Sequence, residues 1–304
     1  MSGRGEALAY GAVTIVNALP CGKGAAFGID LYTQAKVALT SDGAIEATIL
    51  GGEGESTLLV EKCVRSVLDR FGVGMLGAKV CTQSNIPIAR GLKSSSVAAN
   101  AVVLATLAAL DKRMHPGDIL MLGVDASLDA KVSITGALDD AAASLYGNVV
   151  VTDNMARKVL RTFPVDQYYV LLLVPPEKRY TKEVDMTRIR TVAREMSIAH
   201  REALEGNYWS AMTLNGLICS QVLGLDAEVI IQSLEAGALA AGISGKGPTY
   251  AFVTDEKAKD HVLSLLRERE GQIIISKTRG QSSLPMLTLQ QRGSLANGHN
   301  DTQQ

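Results

Sequence analysis

The segment Pro87 to Ser96 (PIARGLKSSS) runs straight into an alanine-rich helical stretch. A Gly/Ser loop at a helix start exposes free backbone N–H groups, and the helix dipole adds a partial positive charge there. Phosphate is the natural guest of such a loop. Lys93 contributes a full positive charge, and Ser94, Ser95 and Ser96 offer hydroxyls to phosphate or to Mg²⁺. The bland alternative is a plain serine N-cap, which helices use constantly. The spacing is not that of the GxxxxGK[ST] phosphate loop.

Two further glycine loops and one acidic pair join it. Gly242 to Pro248 (GISGKGP) precedes a strand, and Asn17 to Asp30 (NALPCGKGAAFGID) follows one and carries Lys23. Each reads alone as a turn or a long bend. Together with the first loop they become candidate walls of one site between two halves of the chain. Asp139 and Asp140 stand side by side in TGALDDAAAS. Adjacent carboxylates in an apolar stretch are costly to bury unless a cation or metal partners them. They serve either as a dipole-stabilised helix start or as a base or Mg²⁺ ligand for phosphoryl transfer. Asp125 and Asp129, one turn apart, offer another metal ligand or a solvated helix face. The four histidines are scattered, and Trp209 with Tyr168 and Tyr169 reads as core.

These residues need elements to hold them. The pattern predicts strands over 12–16, 30–40 and 44–50, a helix over 56–71, a strand over 77–82 and a helix over 94–110. Helices follow near 118–127 and 137–144, then a strand at 149–151. The second half predicts a strand over 168–174, helices near 184–204, 207–223 and 226–240, and a strand, helix and strand over 249–254, 256–269 and 272–278. A break in the apolar pattern between 152 and 165 divides the chain into an N-terminal domain over 1–155 and a C-terminal domain over 156–280. The Ser/Gln/Asn/Gly-rich residues 281–304 read as a disordered tail. The class is α+β with two domains.

Composition closes off other functions. The chain has 304 residues, 47% hydrophobic and 20% charged, which suits a globular protein that needs no staple. A net charge of −1 argues against a nucleic-acid partner. Four cysteines without a CxxC spacing give neither a zinc site nor a disulfide framework. The apolar stretch Val97–Leu110 is too short to span a membrane, and no secretory signal pattern opens the chain. The expectation is a cytoplasmic protein with no membrane partner, with a homo-oligomer left open.

The segment Pro87–Ser96 resembles the central PxxxGLxSSx motif of the GHMP kinases, the superfamily of galactokinase, homoserine kinase, mevalonate kinase and phosphomevalonate kinase. Asn17 with Gly28-Ile29-Asp30 resembles their first motif, and Gly242–Pro248 their third, in the same order. Most GHMP kinases have Gly where this chain has Lys93. GLKSSS followed by TGALDDA resembles the archaeal-type shikimate kinases in particular. The resemblance implies an N-terminal domain like the second domain of ribosomal protein S5 and a ferredoxin-like C-terminal domain. It implies ATP-dependent phosphorylation of shikimate to 3-phosphoshikimate in aromatic amino-acid biosynthesis, with ATP and Mg²⁺ as cofactors. Pro87, Ala89, Arg90, Gly91, Leu92, Lys93, Ser94, Ser95 and Ser96 would wrap the ATP phosphates, with Ser95 or Ser96 reaching Mg²⁺. Asp140 would be the catalytic carboxylate, with Asp139 its rival and Lys23 a candidate to lower the acceptor's pKa. Asp129 would be an acidic Mg²⁺ ligand. Asn17, Asp30, Ser244, Gly245, Lys246 and Gly247 would border the acceptor. The alternatives are a GHMP kinase acting on homoserine, mevalonate or pantoate, and a silent GHMP fold that binds nucleotide.

Overall fold

The computed structural model describes residues 3–178 and 185–284. The first sheet is built around β2 (Lys23–Thr40). On one side β2 pairs antiparallel with β1 (Arg4–Val16), Ala12 opposite Gly28. Its other side is shared: β4 (Gly77–Ser84) pairs with the second half and β5 (Val149–Asp153) with the first. β3 (Ile45–Leu50) runs parallel to β4, and β6 (Lys158–Phe163) extends the sheet beyond β5. Residues 31–39 of β2 alternate between buried and more open positions, as a sheet with one covered face requires.

Four helices cover that face: α1 (Leu58–Arg70), α2 (Ser94–Ala109), α3 (Pro116–Asp129) and α4 (Leu138–Tyr146). α2 lies across β1 and β2 with α1, α3 and α4 around it, so it is buried almost all round. Its Ala and Val side chains allow that close approach, and every buried apolar group adds roughly 25 cal/mol per Å² removed from water. Among the described residues no helix is long and apolar enough to cross a membrane.

The second sheet holds β7 (Tyr169–Val174), β8 (Ala240–Ile243), β9 (Tyr250–Thr254) and β10 (Gln272–Lys277), ordered β10-β7-β9-β8 and antiparallel throughout. Between β7 and β8 run α5 (Met186–Arg190), α6 (Ala193–Leu204), α7 (Tyr208–Leu223) and α8 (Glu228–Glu235); α9 (Glu256–Arg267) links β9 to β10. This is the ferredoxin-like order. α7 packs on β1 as well as on β8, so the two halves share one hydrophobic core. Trp209 meets Phe27 edge-on at 5.2 Å and Tyr168 at 5.9 Å across that seam.

Three local departures from the sequence reading have physical reasons. The stretch 184–204 is two helices, broken at Thr191 and Val192. Lys158–Phe163 is an exposed edge strand within the expected boundary region, paired by backbone bonds to β5. Ala240–Ile243, placed at the end of a helix and in a glycine loop, pairs with β9. From residue 285 onward the expected disordered tail lies outside the described residues. Residues 279–284 return to the first sheet: Arg279 N donates to Gly28 O (2.8 Å), Asn148 N donates to Arg279 O (2.7 Å), and Ser283 N donates to Leu145 O (2.8 Å). Ser282 Oγ donates to Leu145 O (2.8 Å) and Ser283 Oγ to Ser144 O (2.6 Å), so this return caps the end of α4.

Candidate active site

α2 starts at Ser94, and the residue before it, Lys93, takes a left-handed backbone with φ 63°. The N-cap residue Lys93 makes no side-chain capping bond, and Ser94, Ser95 and Ser96, the first three residues of the helix, border the smaller cavity. Ala89 (φ 56°) and Ala137 (φ 49°) share that left-handed conformation. Non-glycine residues held there carry strain, which concentrates at functional sites. Gly91 has φ 85°, and a Cβ on it would lie 2.4 Å from Ser244 O. Glycine is therefore what lets the first loop touch the third.

That contact is fastened from several directions. Ser244 Oγ donates to Gly91 O (2.9 Å), Asn17 Nδ2 donates to Gly245 O (2.8 Å), and Gly245 N donates to Thr14 Oγ1 (2.8 Å). Asn17 N in turn donates to Asn215 Oδ1 (2.9 Å). Asn215, on α7, was not legible as a site residue; its only signal is a polar residue in an apolar helical run.

The acidic pair opens α4, with Ala137 as its cap. Successive helical residues point about 100° apart, so the two carboxylates part company. Asp139 turns to the sheet: Asn154 Nδ2 donates to its Oδ1 (2.9 Å), and a Cβ on Gly24 would stand 2.6 Å from its Oδ2. Thr152 Oγ1 donates to Asn154 Oδ1 (2.7 Å), and His200 Nε2 donates to Thr152 O (3.0 Å). Asp140 turns to the loop: Lys93 Nζ donates to its Oδ2 at 2.8 Å, with both side chains at most 10% exposed. Its Oδ1 is buried without a hydrogen-bond partner. Burial, then the neighbouring Asp139 charge, push the Asp140 carboxyl up to about 7 against the opposing pull of Lys93 and Lys246.

Two cavities meet at the loop. The larger, about 1090 Å³, has apolar walls that include Ile49, Val60, Ile88, Val174 and Ile274, and it takes in Pro87 and Arg90. The smaller, about 150 Å³, is bordered by Asn17, Gly91, Lys93, Ser96, Asp140 and Gly245. Ala89, Ser94, Ser95, Val132 and Lys246 line both. Leu92 is buried and anchors the loop in the core. Ser244 and Gly247 support the third loop from behind and border neither cavity.

Three expected residues stand apart from this assembly. Lys23 is exposed at the start of β2 and lines neither cavity. Asp30 lies within β2, lines neither cavity and pairs with Arg279 at 3.0 Å. Asp129 ends α3 exposed to solvent and borders neither cavity. Asp125, one turn before it, pairs with Arg157.

Among the described residues no three His, Cys, Asp or Glu side chains gather into a self-standing metal site. Mg²⁺ carried with a nucleotide needs only one or two protein ligands, since phosphates and water supply the others. The hydroxyl-bearing Ser95 and Ser96, which border the smaller cavity, are ligands of that kind, so the site fits such an ion.

A phosphate-type loop, a buried carboxylate and two adjoining cavities define a small-molecule kinase of the GHMP class. Residues 58–148 match the family described as the GHMP kinases N terminal domain. The shikimate kinase of Methanothrix thermoacetophila is 43% identical over 282 residues, 92% of this chain and 96% of that protein. The shikimate kinase of Methanothermobacter thermautotrophicus is 38% identical over 278 residues, 90% of this chain and 95% of that protein. The crystal structure of the Methanococcus jannaschii mevalonate kinase superposes with a TM-score of 0.72 and 14% identity, covering 91% of this chain and 98% of that one; that likeness speaks for the fold alone. The chain belongs to the archaeal shikimate kinase family of the GHMP kinases. As such it is an ATP-using phosphotransferase with a small-molecule acceptor.

Proposed function

We propose that the chain transfers the γ-phosphoryl of ATP to the 3-hydroxyl of shikimate, releasing 3-phosphoshikimate and ADP, with Asp140 as the base. The observation that carries the site assignment is the buried, unpartnered Asp140 Oδ1 at the wall of the smaller cavity. A buried carboxylate oxygen without a partner is unusual in a folded protein, and an acceptor hydroxyl is the partner it lacks. ATP takes the larger cavity, whose volume suits a nucleotide and whose walls are mostly apolar. Its phosphates reach the free N–H groups at the start of α2.

Asp140 accepts the proton of the acceptor hydroxyl as that oxygen attacks phosphorus. Its raised proton affinity makes it a better base at neutral pH than an ordinary aspartate. Lys93 holds the carboxylate in place and favours its ionised form. Asp139, bound to Asn154, fixes the start of α4. Ser95 and Ser96 are the residues that would hold Mg²⁺, which when bound neutralises charge on the phosphates. Lys23, Asp30 and Asp129 take no part in this reading. The four free cysteines support a reducing, cytoplasmic setting.

A coupled ADP-release assay across shikimate, homoserine, mevalonate and pantoate tests the acceptor. Turnover with shikimate alone is the expected result. Turnover with another acceptor and none with shikimate would move the chain to a different substrate. ATP binding without turnover on any acceptor would favour a nucleotide sensor.

A further inference from the structure

The side chain of Asn154 is buried and borders neither cavity, yet it organises the wall of the smaller one. Thr152 Oγ1 donates to Asn154 Oδ1 (2.7 Å), which turns the amide nitrogen toward two acceptors. These are Asp139 Oδ1 at 2.9 Å and Thr135 Oγ1 at 3.3 Å, and both residues border the smaller cavity. Ala137 N also donates to Thr135 Oγ1 (3.4 Å). A threonine hydroxyl has two lone pairs and one hydrogen. Both lone pairs of Thr135 are met from the protein, so its hydrogen is what it offers to the cavity. Ser133 borders the same space but is not a partner of the Asn154 amide. The loop that carries Thr135 has little play. Ala137 is held at φ 49°, and a Cβ on Gly136 would lie 2.7 Å from Val124 Cγ1 on α3.

We infer that Thr135 is a specificity-determining residue that donates a hydrogen bond to the acceptor hydroxyl next to the one that attacks phosphorus, so that the site selects hydroxyls on adjacent carbons. The inference rests on the reading that shikimate fills the smaller cavity with its 3-hydroxyl at Asp140; the neighbour is then the 4-hydroxyl. Asp140 and Thr135 border one space of about 150 Å³. In so small a cavity a molecule held at one wall has its adjoining groups against the others. A hydroxyl hydrogen also suits a carboxylate, but here the acceptor's carboxylate is disfavoured. Thr135 Oγ1 and Asp139 Oδ1 share a single amide nitrogen, and two anions that close repel each other. A neutral hydroxyl oxygen takes the same donor without that cost. Homoserine, mevalonate and pantoate carry no hydroxyls on adjacent carbons, so the contact also separates shikimate from them.

The test uses the full chain, the variants Thr135→Val and Thr135→Ser, and two acceptors, shikimate and 4-deoxyshikimate. Thr135→Val keeps the shape and removes the donor. Its KM for shikimate should rise about 5–50-fold with KM for ATP within about threefold of the parent, and Thr135→Ser should return most of the loss. With 4-deoxyshikimate the parent should show a rise of the same size, to which Thr135→Val adds less than about twofold, as expected of two groups that touch. An unchanged KM for shikimate in Thr135→Val, or the same penalty from that variant on both acceptors, would overturn the inference. If Thr135→Val does not fold, Thr135→Ala takes its place under the same criteria. A parent protein idle on shikimate would overturn the acceptor reading and this inference with it. A parent active on shikimate whose two losses simply multiply would overturn the inference alone.

Discussion

Lys93 Nζ stands 2.8 Å from Asp140 Oδ2, and it reaches there from a backbone with φ 63°. Most GHMP kinases have glycine at this place in the loop, the residue that accepts such a conformation freely. A lysine there costs backbone strain of order 1–3 kcal/mol. In return it brings a cation to a carboxylate sealed from water. Breaking a buried pair by removing one partner is far more costly than making it. The loop proposed to hold phosphate and the helix that carries Asp140 are thereby one electrostatic unit.

Asp140→Asn should lower kcat by about 10²–10⁴-fold while ATP affinity and the folded state persist, because the amide keeps the shape and loses the proton-accepting charge. Asp139→Asn should cost less than tenfold, since its carboxylate borders the smaller cavity but is already bound by the Asn154 amide. Asp139→Ala removes the charged acceptor of the buried Asn154 amide and leaves it only Thr135 Oγ1 at 3.3 Å, a loss of about 1–3 kcal/mol that a melting curve would register as a few degrees. Kinetics and melting temperature of the three variants separate these roles. A dead Asp139→Asn beside an active Asp140→Asn would reverse the assignment.

The pH profile gives an independent reading of the base. The Asp140 carboxyl is raised to about 7, so below that pH it holds its proton and cannot accept another. The kcat of the parent should therefore fall on the acid side with an apparent midpoint near 7. Lys93→Met removes a charge that favours ionisation, so the midpoint should move to higher pH. The stability linkage has the same sign: the folded state holds this proton to higher pH than the unfolded chain, so the stabilisation is full below about 4 and lost as pH rises through 7. A profile that Lys93→Met leaves in place would dissociate the lysine from the base.

Gly91→Ala should damage the site without touching a charged group. The added methyl would meet Ser244 O at 2.4 Å and sit on a backbone at φ 85°. About 1–3 kcal/mol of strain should appear as a lower melting temperature, together with poorer use of both ATP and acceptor as the loops part. Normal kinetics in this variant would show that the loops work separately.

Asp30→Asn should leave kcat and both KM values unchanged. Its carboxylate is 43% exposed and pairs with Arg279, an arrangement worth about 0–1 kcal/mol. A rise in KM for shikimate would return Asp30 to the acceptor pocket.

The loops were legible because Gly, Ser and Lys cluster only where backbone must turn and bind, and α2 because an alanine-rich run has little choice but helix. The different partners of Asp139 and Asp140 were not, since neighbours on a helix diverge by a rotation whose outcome depends on the packing of α4. Lys93 was readable as a phosphate ligand and not as the partner of Asp140, a contact 47 residues away in sequence. β6 and β8 escaped for a related reason. Lys158–Phe163 is open to solvent along most of its length, and Ala240–Ile243 has weak strand propensity, so pairing with a neighbour rather than local pattern makes each a strand. Asp30 carried a motif's outline, and its partner Arg279 lies 249 residues on.

The return of residues 279–284 to α4 has a consequence for how the enzyme is made. The bond from Ser282 to Leu145 spans 137 residues of sequence. A ribosome adding about 5–20 residues per second needs roughly 7–27 s to travel that distance. Throughout that interval the nascent chain already displays its phosphate loop and its acidic pair, while the carbonyls of Ser144 and Leu145 at the far end of the catalytic helix still await their donors. The proposed active centre is thus finished by nearly the last described segment to leave the tunnel, and a chain interrupted before Arg279 would carry Asp140 on a helix that has never been closed.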